Sequence, residues 1–177
     1  MKLNQYIEKH GIASAKEMGT HLFRQGDPDS SLYLVRSGLL KAYYLSSDGK
    51  ENIKSFISPG GTIGSLSANH ADGLCTFNLV CLKPSEVVCV NFQSLYEARQ
   101  HDLELSTDII DFLLGFARKK ERREFELLCL SAEERYRQLL EKAPDLLELV
   151  TQDQIARYLG MTPVGLSRIK KRLSQNT

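Results

Sequence analysis

Residues 150–173, VTQDQIARYLGMTPVGLSRIKKRL, constrain this chain more than any other stretch. The pattern predicts two short helices joined by a tight turn. Thr151 and Gln154 have the spacing of a capping box, in which each side chain satisfies a free backbone N–H at a helix start. Gly160 predicts the end of this first helix, because glycine readily adopts the left-handed conformation that follows a helix.

A second helix is expected to begin after this turn. Thr162 can cap it, and Pro163 suits its first turn, where no backbone N–H is needed. Its outer face is basic, with Arg168, Lys170, Lys171 and Arg172. Apolar residues at helical spacing predict a shared inner face, formed by Ile155, Ala156, Leu159, Leu166, Ile169 and Leu173. This arrangement is typical of the DNA-binding helix-turn-helix, and an ordinary helical hairpin with a solvated basic face is the alternative.

The charge distribution favours a partner that carries phosphates. Residues 151–177 hold five Lys and Arg against one Asp, a net charge of +4, so the preceding residues carry −3 within an overall charge of +1. A basic end on a slightly acidic body suits a phosphate-binding module. No apolar run has the length of a membrane span, and the first residues lack an apolar signal-peptide core. We therefore expect a cytoplasmic protein without membrane contact.

The region from His21 to Phe92 predicts a compact antiparallel β structure. Short β-prone runs alternate with turns rich in Gly, Asp, Ser and Pro. Asp48-Gly49 predicts a type I′ hairpin, which needs positive φ at both central residues. Residues 1–18 are expected to form one or two short helices. Residues 62–73 are expected to form a plain surface loop or, alternatively, a loop or short helix that can present N–H groups to an anion. The expected strands are 21–25, 31–37, 39–46, 52–57, 74–82 and 87–92.

Helical periodicity returns after residue 92. A short helix is expected over 92–100, a long one over 103–128, and a third over 131–142, capped by Ser131 and Glu134 and ended by Pro144. The long helix suits a two-fold dimer seam, or else it packs along its own domain. Its charged middle, residues 117–126, departs from a clean heptad pattern. The apolar stripe consists of Leu105, Ile109, Phe112, Phe116 and Ala117.

No enzyme, metal or cofactor site is expected. The four cysteines, at positions 75, 81, 89 and 129, form no C-x-x-C pair, and buried reduced thiols explain them best. A redox switch at Cys75 or Cys129 stays open. The four histidines are scattered, and no Ser/His/Asp order or complete phosphate loop is present.

Taken together, three stretches resemble the cyclic-AMP receptor/FNR (Crp/Fnr) family of bacterial transcription regulators. They are FRQGDPDSSLYLVRSG (23–38), PGGTIG (59–64) and TQDQIARYLGMTPVGLSR (151–168). The resemblance implies an α+β protein with an N-terminal double-stranded β-helix, a jelly-roll or cupin-like β-roll of the cyclic-nucleotide-binding type. The implied domains are a sensor with flanking helices (1–100), a dimerisation helix (101–130) and a helix-turn-helix domain (131–177).

The family's phosphate cassette is degenerate here. In the family it runs F-G-E-[LI]-[AS], followed about ten residues later by Arg-[ST]-Ala; the glutamate holds the ribose and the arginine neutralises the cyclic phosphate. Ser65 replaces that glutamate, and Cys75-Thr76-Phe77 replaces the second motif. A phosphate without a cation loses its strongest contact, so we expect no ordinary cyclic-AMP binding. The degenerate pocket comprises Gly64, Ser65, Leu66, Ser67, Cys75 and Thr76.

The recognition helix keeps part of the family's reading pattern, Glu-x-x-Ser-Arg. Ser167 and Arg168 match it, and Val164 replaces the glutamate. Arginine can bond bidentately to guanine, whereas valine can pack on a thymine methyl. We therefore expect Val164, Ser167 and Arg168 to contact bases. The expected phosphate contacts are Gln152, Thr162, Lys170 and Lys171.

The resemblance also implies partners. These are double-stranded DNA, a second copy of the chain in a homodimer, RNA polymerase as a candidate, and an effector molecule of unknown identity if one exists. The cysteine cluster of iron–sulfur relatives is missing, and the chain ends four residues after Leu173, where many relatives continue into a β-hairpin wing. We expect weaker, more salt-sensitive DNA binding without that wing. The competing hypothesis is a small-molecule-binding or dimerisation module whose helix-turn-helix contacts protein.

Overall fold

The chain packs as two compact units, Met1–Leu114 and Gly115–Thr177. The structure, a computed structural model, describes residues 1–70 and 73–175. Ala71 and Asp72, in the loop expected over residues 62–73, lie outside the described residues, as do the last two residues of the expected helix-turn-helix domain. None of the helices among the described residues combines the length and the hydropathy of a membrane-spanning segment.

The first unit is an antiparallel β-roll of two four-stranded sheets, which confirms the expected fold class. One sheet has the order β1-β8-β3-β6 and the other β2-β7-β4-β5. All pairings are antiparallel. The strands are β1 (Ile12–Lys16), β2 (His21–Phe23), β3 (Ser31–Ser37), β4 (Leu40–Leu45), β5 (Glu51–Ile57), β6 (Thr62–Ile63), β7 (Asn78–Cys81) and β8 (Ser85–Asn91).

Side chains from both sheets fill the interior of the roll. Alternate residues of each strand point inward, as strand geometry requires. The resulting core mixes aromatic, aliphatic and thiol side chains. It consists of Phe23, Tyr33, Val35, Leu40, Ala42, Ile57, Ile63, Ala68, Cys75, Phe77, Leu79, Cys81 and Val87.

A second core lies on the outer side of the β1-β8-β3-β6 sheet. Helices α1 (Leu3–His10), α2 (Phe92–Ala98) and the start of α3 (Leu103–Cys129) contribute to it. Leu105 and Ile109 of α3 are buried there among side chains of β3 and β8. Leu105 and Ile109 therefore pack along their own unit, as the alternative for this part of the apolar stripe predicts, and a dimer role for α3 stays a prediction.

The N-terminal segment contains one helix and one strand. The sequence predicts helix over residues 12–16, but they form β1, paired with β8 from Ile12↔Cys89 to Lys16↔Ser85. The run IASAK has no strong strand signal of its own. Pairing with a strand that lies more than 65 residues later determines its conformation, and sequence periodicity cannot detect this.

The β4–β5 hairpin differs in detail from the expected type I′ turn. The Gly49 amide donates to the Ser46 carbonyl oxygen at 2.9 Å, so Ser47 and Asp48 are the central residues. Gly49 follows with φ +79°. A turn followed by a left-handed glycine is the usual three-residue hairpin connection. The Asp48 carboxylate accepts from the Ser46 hydroxyl at 2.5 Å, which stabilises the shifted turn.

The second unit is helical. In addition to the end of α3, it contains α4 (Ala132–Lys142), α5 (Pro144–Leu149), α6 (Gln152–Tyr158) and α7 (Pro163–Gln175). The predicted capping box of α4 is confirmed, with the Glu134 amide donating to Ser131 Oγ at 3.2 Å and the Ser131 amide to Glu134 Oε2 at 2.8 Å. Pro144 does end α4, but it also begins α5, since proline fits the first position of a helix.

Candidate nucleic-acid interface

The first helix of the predicted helix-turn-helix begins at a complete capping box. The Gln154 amide donates to Thr151 Oγ1 at 3.2 Å, and the Thr151 amide donates to Gln154 Oε1 at 2.9 Å. Two backbone N–H groups at the helix start are therefore satisfied within four residues. This local pattern explains why the start of α6 could be predicted from sequence.

The turn between α6 and α7 is a Schellman motif centred on Gly160. The Met161 amide donates to the Ala156 carbonyl oxygen at 3.0 Å, and the Gly160 amide donates to the Arg157 carbonyl oxygen at 3.4 Å. Gly160 has φ +68°, as predicted. A Cβ at this position would lie 3.2 Å from Cδ2 of Leu127, so the turn also packs closely on α3.

The second helix begins as the sequence predicted. Thr162 Oγ1 accepts from the Gly165 amide at 3.1 Å, and Pro163 is the first helical residue. The shared inner face is buried, apart from Leu173, which is half-buried. The buried residues are Ile155, Ala156, Leu159, Leu166 and Ile169.

The residues expected to contact bases lie on the opposite face of α7. Val164 is 61% exposed, which is unusual for a branched apolar side chain, and Ser167 and Arg168 are exposed as well. The Arg168 guanidinium makes no hydrogen bond or ion pair with the side chains of residues 1–70 and 73–175. The first turns of α7 therefore present an apolar, a hydroxyl and a cationic group to solvent.

Two of the expected phosphate contacts are brought together by the fold. Lys170 Nζ donates to Gln152 Oε1 at 2.9 Å, which joins the middle of α7 to the first residue of α6. Lys171 is exposed. Arg172 is different, because its guanidinium is bonded to Glu133 of α4. One of the four cations of α7 is thus already paired within the protein.

Two arginines, one in the charged middle of α3 and one on α4 for which the sequence predicts no role, contact the helix-turn-helix. Arg123 of α3 donates to the Tyr158 carbonyl oxygen, and Arg135 of α4 donates from Nε to the Leu159 carbonyl oxygen at 3.0 Å. Both carbonyls belong to the end of α6. The sequence carried no signal for these contacts, because they join residues 35 and 24 positions apart.

The first half of the degenerate cassette lies at the edge of the roll. Gly64 is buried, and a Cβ there would meet the Ser31 carbonyl oxygen at 2.5 Å. Ser65 is 1% exposed, and its hydroxyl has no hydrogen-bond partner among the described residues. Leu66 and Ser67 begin a short 3-10 helix, Leu66–Asn69, and both are exposed. The position of the family's glutamate is therefore a buried, uncharged site.

The second half of the cassette is also part of the core. Cys75 is 2% exposed and its thiol donates to the Asp29 carbonyl oxygen at 3.4 Å. Burial raises the pKa of this thiol. Thr76 is exposed, so it does not line the interior. The cassette residues thus include no charged side chain directed into the roll.

Phe77 occupies the space next to the cassette. Its ring is 3% exposed, and its centroid lies 5.1 Å from that of Phe23 in an edge-to-face arrangement. Tyr44 approaches it at 6.3 Å, and Lys54 Nζ lies 4.1 Å from the ring centroid. The family pattern has a small alanine here. An aromatic ring with these neighbours fills volume that a small residue would leave open.

Metal chemistry is not indicated by the geometry of the described side chains. Across residues 1–70 and 73–175, no three His, Cys, Asp or Glu side chains are grouped so that they could hold a metal ion. The four cysteines are all free thiols, and only Cys129 is exposed.

Comparison with known proteins identifies the class to which this architecture belongs. The family model of the cyclic nucleotide-binding domain matches residues 15–102. The FixK2 structure from Bradyrhizobium japonicum has a TM-score of 0.79 at 21% identity, covering 94% of this chain and 85% of that one. A CooA mutant from Carboxydothermus hydrogenoformans has a TM-score of 0.78 at 14% identity, covering 99% and 85%. The fold is thus a cyclic-nucleotide-binding-type β-roll followed by a helix-turn-helix.

Sequence relatives then define the family. The transcriptional activator protein Anr of Pseudomonas aeruginosa is 32% identical over 170 residues, covering 89% of this chain and 68% of that protein. The chain therefore belongs to the Crp/Fnr family of transcription regulators, as its sequence motifs indicated. The anaerobic regulatory protein of Pasteurella multocida is 29% identical over 164 residues, and the match spans 87% of this chain but only 60% of that relative's length.

Proposed function

We propose that the protein is a sequence-specific DNA-binding transcription regulator and not an enzyme. The observation that carries the proposal is the helix-turn-helix itself: a capped α6, a Schellman turn at Gly160, and an α7 whose outer face is exposed and basic. The relatives named as transcriptional regulators support it. The proposal implies action in the cytoplasm, where bacterial DNA is found, with RNA polymerase as a candidate partner.

The contacts are assigned by position on the two helices. Val164, Ser167 and Arg168 would face base edges in the major groove, with Arg168 bonded to a guanine and Val164 packed on a thymine methyl. Phosphate contacts are assigned to residues near the start of α6 and on the flank of α7, since such contacts fix register without reading sequence. They are Gln152, Thr162, Lys170 and Lys171.

Selection of bound sequences from random DNA would test this function. We expect an enriched palindromic site, bound in a mobility-shift assay at moderate salt and at least about 10³-fold more tightly than a scrambled site, as specific regulators are. Equal binding of both duplexes, or no enrichment, would contradict sequence-specific recognition. If the protein binds another protein but no DNA, the competing role of the helix-turn-helix as a protein-contact module would be favoured.

A homodimer is part of the proposal, through a different face of α3 from the one first considered. Leu103, Ile110 and Leu114 are 84%, 55% and 53% exposed, at spacings of seven and four residues. This is the spacing at which apolar side chains meet across paired helices. Two such chains would bring two recognition helices to the half-sites of a palindrome.

Substitution within this stripe gives the test of the dimer. Wild-type protein should sediment at twice the chain mass of 20.0 kDa. Ile110→Glu should raise the dimer dissociation constant by about 100-fold or more, because it buries an unpaired charge. Lys119→Glu is the control, since residue 119 lies about half a turn from Ile110 around the helix. Wild-type sedimentation by Ile110→Glu at micromolar concentration would contradict this dimer face.

Cyclic AMP is not assigned as the effector. Uncharged, buried Ser65 and Cys75 stand where the family pattern has a glutamate and an arginine, and Phe77 adds a core ring beside them. A cyclic phosphate would find no charge-assisted contact at these positions. Calorimetry should detect no binding at micromolar concentration. Micromolar binding that is lost in Ser65→Ala or Thr76→Ala would overturn this part of the proposal, and another small-molecule effector stays open.

A further inference from the structure

Arg135 joins the carbonyl ends of two helices. From Nε it donates to the Leu159 carbonyl oxygen, at the end of α6, at 3.0 Å. From Nη1 it donates to the carbonyl oxygens of Leu130, at 2.5 Å, and Glu126, at 3.4 Å, at the end of α3. The last carbonyls of a helix have no partner within that helix. One guanidinium on α4 therefore donates to carbonyls at the ends of both α3 and α6, and the Glu126 carbonyl also accepts from the Leu130 amide at 3.3 Å.

Arg123, on α3, binds the carbonyl next to that of Leu159 at the end of α6. It lies within the last two turns of α3 and donates to the Tyr158 carbonyl oxygen. Its guanidinium carbon also lies 4.4 Å from the centroid of the Tyr158 ring. The side chain is only 18% exposed. Two consecutive carbonyls, those of Tyr158 and Leu159, are thus held by two different helices immediately before the Gly160 turn.

Arg123 and Arg135 together form a clamp on the Tyr158 and Leu159 carbonyls. The chemistry of this clamp requires guanidinium groups. A guanidinium has five N–H donors in a rigid plane, so it can bond two helix ends along different edges and also stack on a ring. Burial lowers the pKa of Arg123, and the charge of Arg135 acts in the same direction. The repulsion between the two arginine charges is offset by the negative ends of two helix dipoles and by the Glu126 carboxylate, which lies 3.9 Å from Arg123.

The two arginines lie next to the point where the chain turns from α6 into α7. Gly160 follows the two held carbonyls directly, and its Cα faces Leu127 of α3 so closely that a Cβ would approach Leu127 Cδ2 to 3.2 Å. The direction of α6 relative to the last turns of α3 therefore sets where the turn, and then α7, begins. A rotation of the last helical turns of α3 would therefore be transmitted to the Gly160 turn through Arg123 and Arg135.

We propose that Arg123 and Arg135 are positioning residues that set the orientation of the recognition helix and so determine whether Arg168 meets its base. This inference rests on the proposed DNA-binding function. Neither arginine needs to contact DNA. Their loss would leave the exposed cations of α7 in place but misdirect them, so specific recognition would suffer more than general attraction to phosphate.

Matched glutamine substitutions on α3 test the proposal. Arg123→Gln removes a clamp residue, and Arg122→Gln removes an adjacent cation that is 58% exposed and pairs only with Glu126 at 3.1 Å among the described residues. Both variants change the net charge equally. Arg123→Gln should weaken binding of the selected site by about ten- to hundredfold, the cost of one or two missed base contacts. Binding of scrambled DNA should change no more than in Arg122→Gln.

Arg135→Lys gives a second, milder variant that keeps the charge. It should also lose specific affinity, because an ammonium group cannot bridge the carbonyls of both helix ends. All affinities are measured well below the unfolding temperature of each variant. The positioning role would be overturned by any of three results. These are equal losses of affinity for the selected and the scrambled duplex, wild-type affinity of Arg135→Lys for the selected site, or a lowered unfolding temperature with unchanged specific affinity.

Hydrogen exchange separates this inference from the proposed function. In Arg123→Gln, the amides of Gly160 and Met161 should exchange faster than in Arg122→Gln, because their turn is no longer held. Unchanged exchange would overturn the clamp even if the protein binds DNA. If wild-type protein binds no DNA, the proposed function fails, and faster exchange would still support the clamp as a device that orients α7.

Discussion

Two regions of the molecule differ in the identity and exposure of the residues at the family's recognition positions. They are the cassette at residues 64–77 and the helix-turn-helix at residues 151–175. In the cassette, Ser65 and Cys75 replace charged residues and are almost fully buried. In the helix-turn-helix, Ser167 and Arg168 keep the family pattern and are exposed. The residues at the expected effector positions are thus part of the core, whereas those at the expected base-reading positions are open to solvent.

The largest expected effect tests whether the interior of the roll is a packed core. Phe77→Ala should cost the first unit about 3–5 kcal/mol of unfolding free energy, as large-to-small core substitutions do. Thr76→Ala is the neighbouring control, and its exposed side chain predicts a change within about 0.5 kcal/mol. Chemical denaturation of both variants gives the comparison. A cost for Phe77→Ala under about 1 kcal/mol would indicate a ring that lines open space, and the contrast between the two regions would fail.

The next effect concerns base recognition by α7. Arg168→Ala should cost about 1–3 kcal/mol of binding free energy and relax specificity at one base pair, because a bidentate guanine contact is lost. Lys170→Ala is the control, since loss of a phosphate contact weakens all sequences alike and reduces the salt slope by about 1. Competition binding against single-base variants of the site measures both. A uniform loss in Arg168→Ala would make Arg168 a phosphate contact.

A smaller effect is expected at the turn. Gly160→Ala should destabilise the second unit by about 1–2 kcal/mol, because φ +68° places a side chain in the left-handed region. Gly165→Ala is the matched control within α7. There a Cβ would lie 3.3 Å from Thr162 Oγ1, and the gain in helix propensity of about 1 kcal/mol should make the change neutral or stabilising. Thermal unfolding would reveal opposite signs, and equal losses would argue against the Schellman turn.

The smallest effect is a pH dependence confined to the roll. Burial lowers the pKa of His21 below its ordinary value of 6.5, and Arg24 and Lys41 add to the shift. The folded protein therefore binds this proton more weakly than the unfolded chain does. Stability should be constant with respect to His21 above pH 6.5 and should decline as the pH falls through the lowered pKa. His21→Gln should flatten that decline in unfolding experiments, and an unchanged slope would exclude His21 as its source.

Local patterns in the sequence predicted the helix-turn-helix well. Thr151, Gln154, Gly160 and Thr162 each act on backbone groups within a few residues, so spacing alone identifies their roles. The strands of the roll were predicted for a similar reason, since turn residues separate short β-prone runs. Residue types also revealed that the cassette lacks its charged pair, because this needs only an aligned motif.

Features that depend on distant residues could not be predicted. The strand at residues 12–16 forms because β8 is available to pair with it. The buried face of α3 and its exposed apolar stripe both have helical spacing, and the β-roll decides which of them is covered. Arg123 lies in a run of charges that would be solvated in an isolated helix. Its role depends on a carbonyl oxygen of Tyr158, which no side-chain pattern encodes.

The bond between Arg172 and Glu133 has a consequence for how DNA binding would respond to salt. A surface cation that stays paired with a carboxylate of the same chain displaces no ion from DNA. Each phosphate neutralised by a free cation contributes about −0.9 to the slope of log affinity against log salt. If Lys170 and Lys171 supply these contacts, two recognition helices would together give a slope of about −3.6. A much steeper measured slope would locate additional phosphate contacts outside α7.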